Sequence, residues 1–310
     1  MFTERRAHNS TRRITARSLS RPTWEQLQRE SRPARVLAVF EHACDLIAPD
    51  GSVIALVATS LDDGPFHIVV DAAPGIFRAL RRDIPALLGR DALWLAGLQI
   101  DLRGARRWEP CPSWGTLRAR RQTIDHTLSY LYTFCSRMAI RQMRDSLFFP
   151  LLHADGLLDR IDQHGFSCAQ SAVEAIRQGW NGDRPALQRG AAALAGLGKG
   201  LTPAGDDFLL GLLLYAWLFH PDPQTFCTDV VDIAAPRTTT LSAAFLRAGA
   251  RGECSAPWHC LFDALSCGHE GKIALAVQRL LDCGATSGAD SLLGFLHIAR
   301  SRRLFCPPNA

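Results

Sequence analysis

Three carboxylates stand where helices should begin. Asp206 and Asp207 lie in Gly198-Lys-Gly-Leu-Thr-Pro-Ala-Gly-Asp-Asp-Phe-Leu-Leu-Gly211, and Asp290 in Thr286-Ser-Gly-Ala-Asp-Ser-Leu-Leu-Gly294. Gly205, Asp207 and Gly211 superpose on Gly288, Asp290 and Gly294 at one constant offset, so the second stretch is a weaker copy of the first. The N–H groups of a first helical turn lack intrahelical partners and favour negative charge, so such a start can hold a small anion. Thr202, Thr286 and Ser287 add hydroxyl donors, and Gly198, Gly200, Gly205 and Gly288 allow close backbone approach. Between the copies, Arg237-Thr-Thr-Thr-Leu-Ser242 presents further hydroxyls before another helix, Thr239 among them. The expected binding set is therefore Gly198, Gly200, Thr202, Gly205, Thr239, Thr286, Ser287, Gly288 and Asp290, with Asp206 and Asp207 as candidate catalytic groups.

Adjacent carboxylates opening an apolar helix are costly to bury alone. They are solvated in a cleft, paired with arginine, or holding Mg²⁺ between Asp206 and Asp207; no other cofactor is suggested. Acidic residues in a first turn also complement the helix dipole without further function. Gly196-Leu-Gly-Lys-Gly200 is neither a Walker loop, since Gly follows Lys199, nor a dinucleotide fingerprint, since a helix precedes it. Thr202-Pro203 reads as an N-cap followed by proline at the first helical position. His126, His153 and His164 fall outside these motifs, and no nucleophile–histidine–acid triad can be assembled. Cys254, His259, Cys260, Cys267 and His269 fit no zinc spacing.

The elements that must carry these residues change character along the chain. Residues 36–102 hold short apolar runs at Val36–Phe40, Ser52–Ala58, Phe66–Asp71 and Leu93–Leu102, with turn chemistry at Pro49-Asp-Gly51 and Asp62-Asp-Gly-Pro65. Phe77–Arg90 suggests a helical insertion that Pro85 would kink. From about Leu117 the period becomes helical, through Arg121–Phe148, Ser171–Gly179, Pro185–Ala195, the motif helix, Leu241–Ala250, Lys272–Leu281 and a last helix from Ser291. Gly211 and Gly294 inside apolar helices point to close packing between the two copies. The fold class is α+β: a disordered basic tail over 1–33, a small β-barrel or sandwich over 34–112, and a mostly α-helical domain over 113–310.

The 310 residues are 47% apolar and 21% charged, ordinary for a globular protein. The formal charge of +5 is concentrated early, with nine arginines against Glu4, Glu25 and Glu30 in residues 1–35. The remainder is near neutral, which argues against nucleic-acid binding. No apolar run is long enough for a membrane span. The ten cysteines are scattered, as in a cytoplasmic protein with reduced thiols.

The run Gly196–Gly211 resembles the signature of the AllH family. Leu241–Glu253, Gly284–Asp290, Cys44–Gly51 and Leu98–Trp108 resemble it too, so the likeness spans about residues 34–300. The resemblance implies a subunit of oxamate carbamoyltransferase, which exchanges a carbamoyl group between phosphate and oxamate in purine and allantoin breakdown. It also implies FdrA-type and AllG-type partner subunits. The alternative is a non-catalytic subunit whose motifs only lock helices together and scaffold those partners.

Overall fold

The computed structural model describes residues 11–73, 75–137, 141–152 and 163–305. It divides into two units, Met1–Pro110 and Cys111–Ala310, each with its own apolar core.

Among the described residues the first unit holds nine strands and one short helix. They are β1 (Arg12–Ser20), α1 (Arg21–Leu27), β2 (Arg32–Val39), β3 (Ala43–Ile47), β4 (Val53–Ala58), β5 (His67–Asp71), β6 (Pro85–Leu88), β7 (Ala92–Leu95), β8 (Leu98–Asp101) and β9 (Arg106–Trp108). The strand order is β5-β4-β3-β2-β6-β7-β8-β1, and β1 returns to pair antiparallel with β5. That closure makes an eight-stranded barrel, the architecture that removes sheet edges. β9 continues where β8 stops: β1 pairs in parallel with β8 through Arg12–Thr15 and then with β9 through Ser18–Ser20. Val36, Leu46, Leu56, Ile68, Leu93 and Ile100 fill the interior.

Three expectations need correction here. The basic segment is not a disordered tail from Arg12 onward; it supplies the strand that closes the barrel. Its arginines occupy outward positions while Ile14, Ala16 and Leu19 are buried, a period-two pattern masked by the charge. Residues 1–10 lie outside the described residues. Phe77–Arg90 is not a helix but a turn region leading into β6, with Pro85 at the strand's first position. Leu93–Leu102 is a hairpin, because Ala96 (φ 44°) and Gly97 (φ 76°) make a tight turn between β7 and β8.

The second unit is helical: α2 (Trp114–Ala119), α3 (Arg121–Arg137), α4 (Arg141–Arg144), α5 (Gln163–Trp180), α6 (Arg184–Leu194), α7 (Ala204–Phe219), α8 (Pro223–Ala234), α9 (Thr240–Ala250), α10 (Ala256–Cys267), α11 (Glu270–Leu281) and α12 (Ser287–Phe305). Within the stretch expected to be helical, Arg121–Phe148, the described helices are α3 and α4, and a short 3-10 turn follows at Phe149–Leu152. α7 is apolar on all sides and buried accordingly, with Phe208, Leu212, Leu213 and Tyr215 fully enclosed. Its main partner is α12, which contributes Leu292, Phe295 and Leu296 to the same core. No helix among the described residues is long and apolar enough to cross a membrane.

Candidate functional site

The two motifs share an architecture as well as a sequence pattern. In each, a helix ends, a glycine-bearing loop turns, and the motif helix starts against the carbonyl of the helix just left. A Cβ on Gly205 would lie 2.0 Å from the Leu194 carbonyl oxygen of α6, and one on Gly288 would lie 1.9 Å from that of Leu280 in α11. The motif helices then cross through their second glycines. A Cβ on Gly211 would meet the Ser291 carbonyl oxygen at 1.8 Å, and one on Gly294 that of Phe208 at 2.0 Å. Phe208 and Ser291 are themselves equivalent positions in the two copies, so the crossing is internally symmetric. It falls between the second and third turns of each helix, and the contact between Thr202 and Ser287 joins their starts.

The start of α7 differs from the expectation. Thr202 does not cap it; Pro203 occupies the cap position, and no side chain caps the helix. The N–H groups of Asp206 and Asp207 donate to the Pro203 carbonyl (3.0 and 3.2 Å), and that of Gly205 donates to Leu197 O (2.8 Å). In α12 the Gly288 N–H donates to Cys283 O (3.0 Å). Much of the anion-binding capacity expected of these first turns is thus already used by protein carbonyls. What the junction offers is hydroxyls and carboxylates. Thr202 Oγ1 lies 3.1 Å from Ser287 Oγ, joining the two copies, and both residues are partly exposed.

The adjacent carboxylates face different ways. Asp206, buried, accepts from the Gly196 N–H (3.0 Å) and, on its other oxygen, from Thr238 Oγ1. Burial raises its pKa, while bonds from Thr238, Gly196 and Ser242 oppose the rise. Asp207 turns toward the second copy, where Ser287 bonds it. Burial holds Asp207 well above the ordinary carboxylate range, Ser287 works against this, and the charges of Asp290 and Asp206 add to it. Asp290 accepts from Ser146 Oγ on one oxygen, with Thr286 also bonding it. Burial pushes its pKa up to about 6 against those two bonds.

Asp206 and Asp207 therefore do not fit a shared Mg²⁺: Asp206 has both oxygens committed to protein donors, and its neighbour points elsewhere. Among the described residues no group of three or more His, Cys, Asp or Glu side chains is placed to hold a metal ion.

The remaining site residues divide between loop building and the junction. Gly198 (φ 116°) and Gly200 (φ 95°) take left-handed conformations in the exposed loop that also carries Lys199. Thr239 caps α9, accepting from Ser242 N (3.1 Å) and donating to Leu201 O (2.5 Å). It holds the glycine loop rather than the Asp207–Ser287 junction. Sequence reasoning missed Thr238, Ser242 and Ser146. The first two lay in a hydroxyl run from which Thr239 was singled out. Ser146 comes from a distant segment whose sequence signals no partner. His126 lies on α3, and His153 lies outside the described residues. A cavity of about 400 Å³ opens elsewhere along α12, lined by Leu151, Gln170, Ser171, Val173, Glu174 and His297.

Comparison with known proteins adds the following. Residues 194–299 match the family model described as oxamate carbamoyltransferase subunit AllH, and residues 15–107 match that of the AllH family N-terminal domain. The first match contains both motifs, all of α7 and α12 as far as residue 299, and the second lies within the barrel. No solved structure matches the chain.

Proposed function

The chain belongs to the AllH family, and from that premise we propose that it is a subunit of a carbamoyltransferase complex with part of the substrate site at the junction of α7 and α12. The reaction is carbamoyl phosphate plus oxamate giving oxalurate plus phosphate, reversibly, in the nitrogen catabolism of purines and allantoin. The partners are FdrA-type and AllG-type subunits. The observation that carries this reading is that two motif copies, both within the matched segment, bring buried carboxylates together with a pair of hydroxyls.

The chemistry has a defined need. The oxamate amide nitrogen attacks the carbamoyl carbon, a C–N bond forms, and the C–O bond to phosphate breaks. One proton must leave that nitrogen and end on the departing phosphate. A carboxylate with a raised pKa is suited to relay it. Asp207 and Asp290 stand in that role. Thr202 and Ser287 orient the substrate's anionic end, and Asp206 holds the glycine loop. No step is assigned to a metal.

The test is the complex itself. The chain is co-purified with its FdrA-type and AllG-type partners, and phosphate release from carbamoyl phosphate plus oxamate is followed. Asp207→Asn should lower kcat by about 100-fold or more in an intact complex, within the range of a lost proton-transfer group. Asp206→Asn should act mainly through KM. Wild-type turnover by Asp207→Asn would favour the scaffold reading, for which the glycine interlock of α7 and α12 already speaks. An inactive wild-type complex would mean a different carbamoyl acceptor or no catalytic role.

A further inference from the structure

Asp290 is held from two parts of the helical unit. Thr286 bonds it from within its own motif copy, and Ser146 bonds it from a segment 144 residues away in sequence. The carboxylate is fully buried, and those two hydroxyls oppose the effect of burial on it. Ser146 is buried as well, and it lies between α4 and the 3-10 turn at Phe149–Leu152.

The Ser146 hydroxyl is directed by its own backbone. Its oxygen accepts from the Phe148 N–H (3.1 Å), a serine bonding two residues on, and its proton goes to Asp290 Oδ1. The segment that carries it is fastened at both ends. The Ser146 N–H donates to Met143 O of α4 (3.3 Å), and Tyr132 Oη of α3 donates to Leu152 O (2.5 Å). Its middle is fixed by packing: Phe148 is fully buried, with its ring centroid 4.3 Å from that of Phe208. Phe208 follows Asp207 in α7, and its carbonyl is the one that Gly294 of α12 lies against. Ser146–Phe148 thus bonds a carboxylate of the second copy and packs on a ring of the first.

Catalytic side chains are kept in a productive direction by hydrogen bonds from neighbours that do not themselves react. Asp290 shows the matching division of labour: Oδ1 takes the Ser146 bond, and Oδ2 has no hydrogen-bond partner among the described residues. We infer that Ser146 is a positioning residue for Asp290, holding one oxygen of the carboxylate and setting how readily the other takes up the proton of the reaction. Ser146 keeps its own proton throughout. This role rests on the carbamoyl-transfer reading in one respect, that Asp290 accepts a proton there.

The test follows the Asp290 proton and turnover side by side. In the full-length chain carrying isotope-labelled aspartate, the Asp290 carboxyl carbon is titrated by NMR, its signal assigned by its absence in Asp290→Asn. Ser146→Ala should hold the proton about 10-fold more tightly than wild type, because losing a bond to the charged form favours the neutral one. In the complex with its partner subunits, kcat for phosphate release should fall about 10-fold at about pH 5, with KM near wild type. The loss should close above about pH 8, where Asp290 is ionised in both proteins. Ser146→Cys, close in shape and a weaker donor, should lie between the two and serves if Ser146→Ala fails to fold. An Asp290 titration that these substitutions leave in place would overturn the inference. So would a kcat loss of equal size at every pH, which is what a purely structural role gives. Turnover by the wild-type complex would persist in both cases, and the carbamoyl-transfer reading with it. A shifted titration in a chain whose wild-type complex releases no phosphate does the reverse: Ser146 still controls the Asp290 proton, and the carbamoyl-transfer reading falls.

Discussion

The two motif copies agree at some positions and part at others, and the partition separates chemistry from loop construction. Asp207 and Asp290 are equivalent, and both carry a buried oxygen without a hydrogen-bond partner among the described residues. Asp206 has Ala289 as its counterpart, and its carboxylate is spent on Gly196 and Thr238. The first copy has a long glycine loop to restrain, and Asp206 restrains it. The second copy turns on Gly284 with no such loop, and an alanine suffices. Of the shared carboxylates, Asp207 meets Ser287 of the other copy and Asp290 is bonded by Ser146 and Thr286, whereas the unshared Asp206 serves its own half.

The shared glycines give the comparison its largest consequence. Gly211 sits on the Ser291 carbonyl and Gly294 on the Phe208 carbonyl, backbone against backbone, where no rotamer change can relieve an added methyl. Gly211→Ala and Gly294→Ala should each destabilise the helical unit by upwards of about 3 kcal/mol, toward the severe end of overpacking. Denaturant midpoints would show it. Equal losses sustain the symmetric crossing, whereas loss in one variant alone would break the equivalence of the copies.

The shared carboxylates predict a smaller effect with a definite sign. The Asp290 pKa of about 6 lies above the ordinary value near 4, so the folded state holds the proton more tightly than the unfolded chain. Its contribution is fully present below about pH 4 and is lost as pH rises through about 6. Wild type should therefore gain stability on acidification from pH 7 to about 4.5, by up to roughly 2–3 kcal/mol at this residue. Carboxylates held low, such as Glu174 and Asp222, act in the opposite direction only at lower pH. Asp45 in the barrel, raised by burial to about 7, has the same sign, so the difference from Asp290→Asn isolates the site. Melting curves of the two proteins that run parallel across this window would show that Asp290 does not hold a proton at moderate acidity.

What was legible in the sequence was what local pattern encodes. The change from period two to helical period placed a β-rich unit before an α-helical one, and Gly211 and Gly294 announced a close helix crossing. β1 was not legible, because its arginines alternate with Ile14, Ala16 and Leu19 and the charge count hid the alternation. β3, α8 and α10 were passed over as well. Within the motif, residue types indicated a polar junction but not its wiring. Thr202 was read as a cap because Thr-Pro usually is one, yet the Pro203 carbonyl satisfies the first turn and frees the hydroxyl for Ser287. Asp206 and Asp207 were read as a pair because they are adjacent, but successive helical side chains point about 100° apart and find different partners. Ser146 reaches Asp290 across more than a hundred residues, and only the fold brings them together.

Thr239 draws the line between the two roles most finely. As the cap of α9 and a donor to Leu201 O, it braces the first copy's loop, and the second copy has no comparable brace in the hydrogen bonds described. Thr239→Ala should cost about 1 kcal/mol, the usual loss for a cap. The released loop should weaken substrate binding a few-fold and leave kcat near wild type, as expected when only uniform binding is lost. A fall in kcat comparable to that of Asp207→Asn, without loss of stability, would instead place Thr239 against the reacting groups. The division between a bracing first copy and a shared chemical junction would then have to be redrawn around the glycine loop.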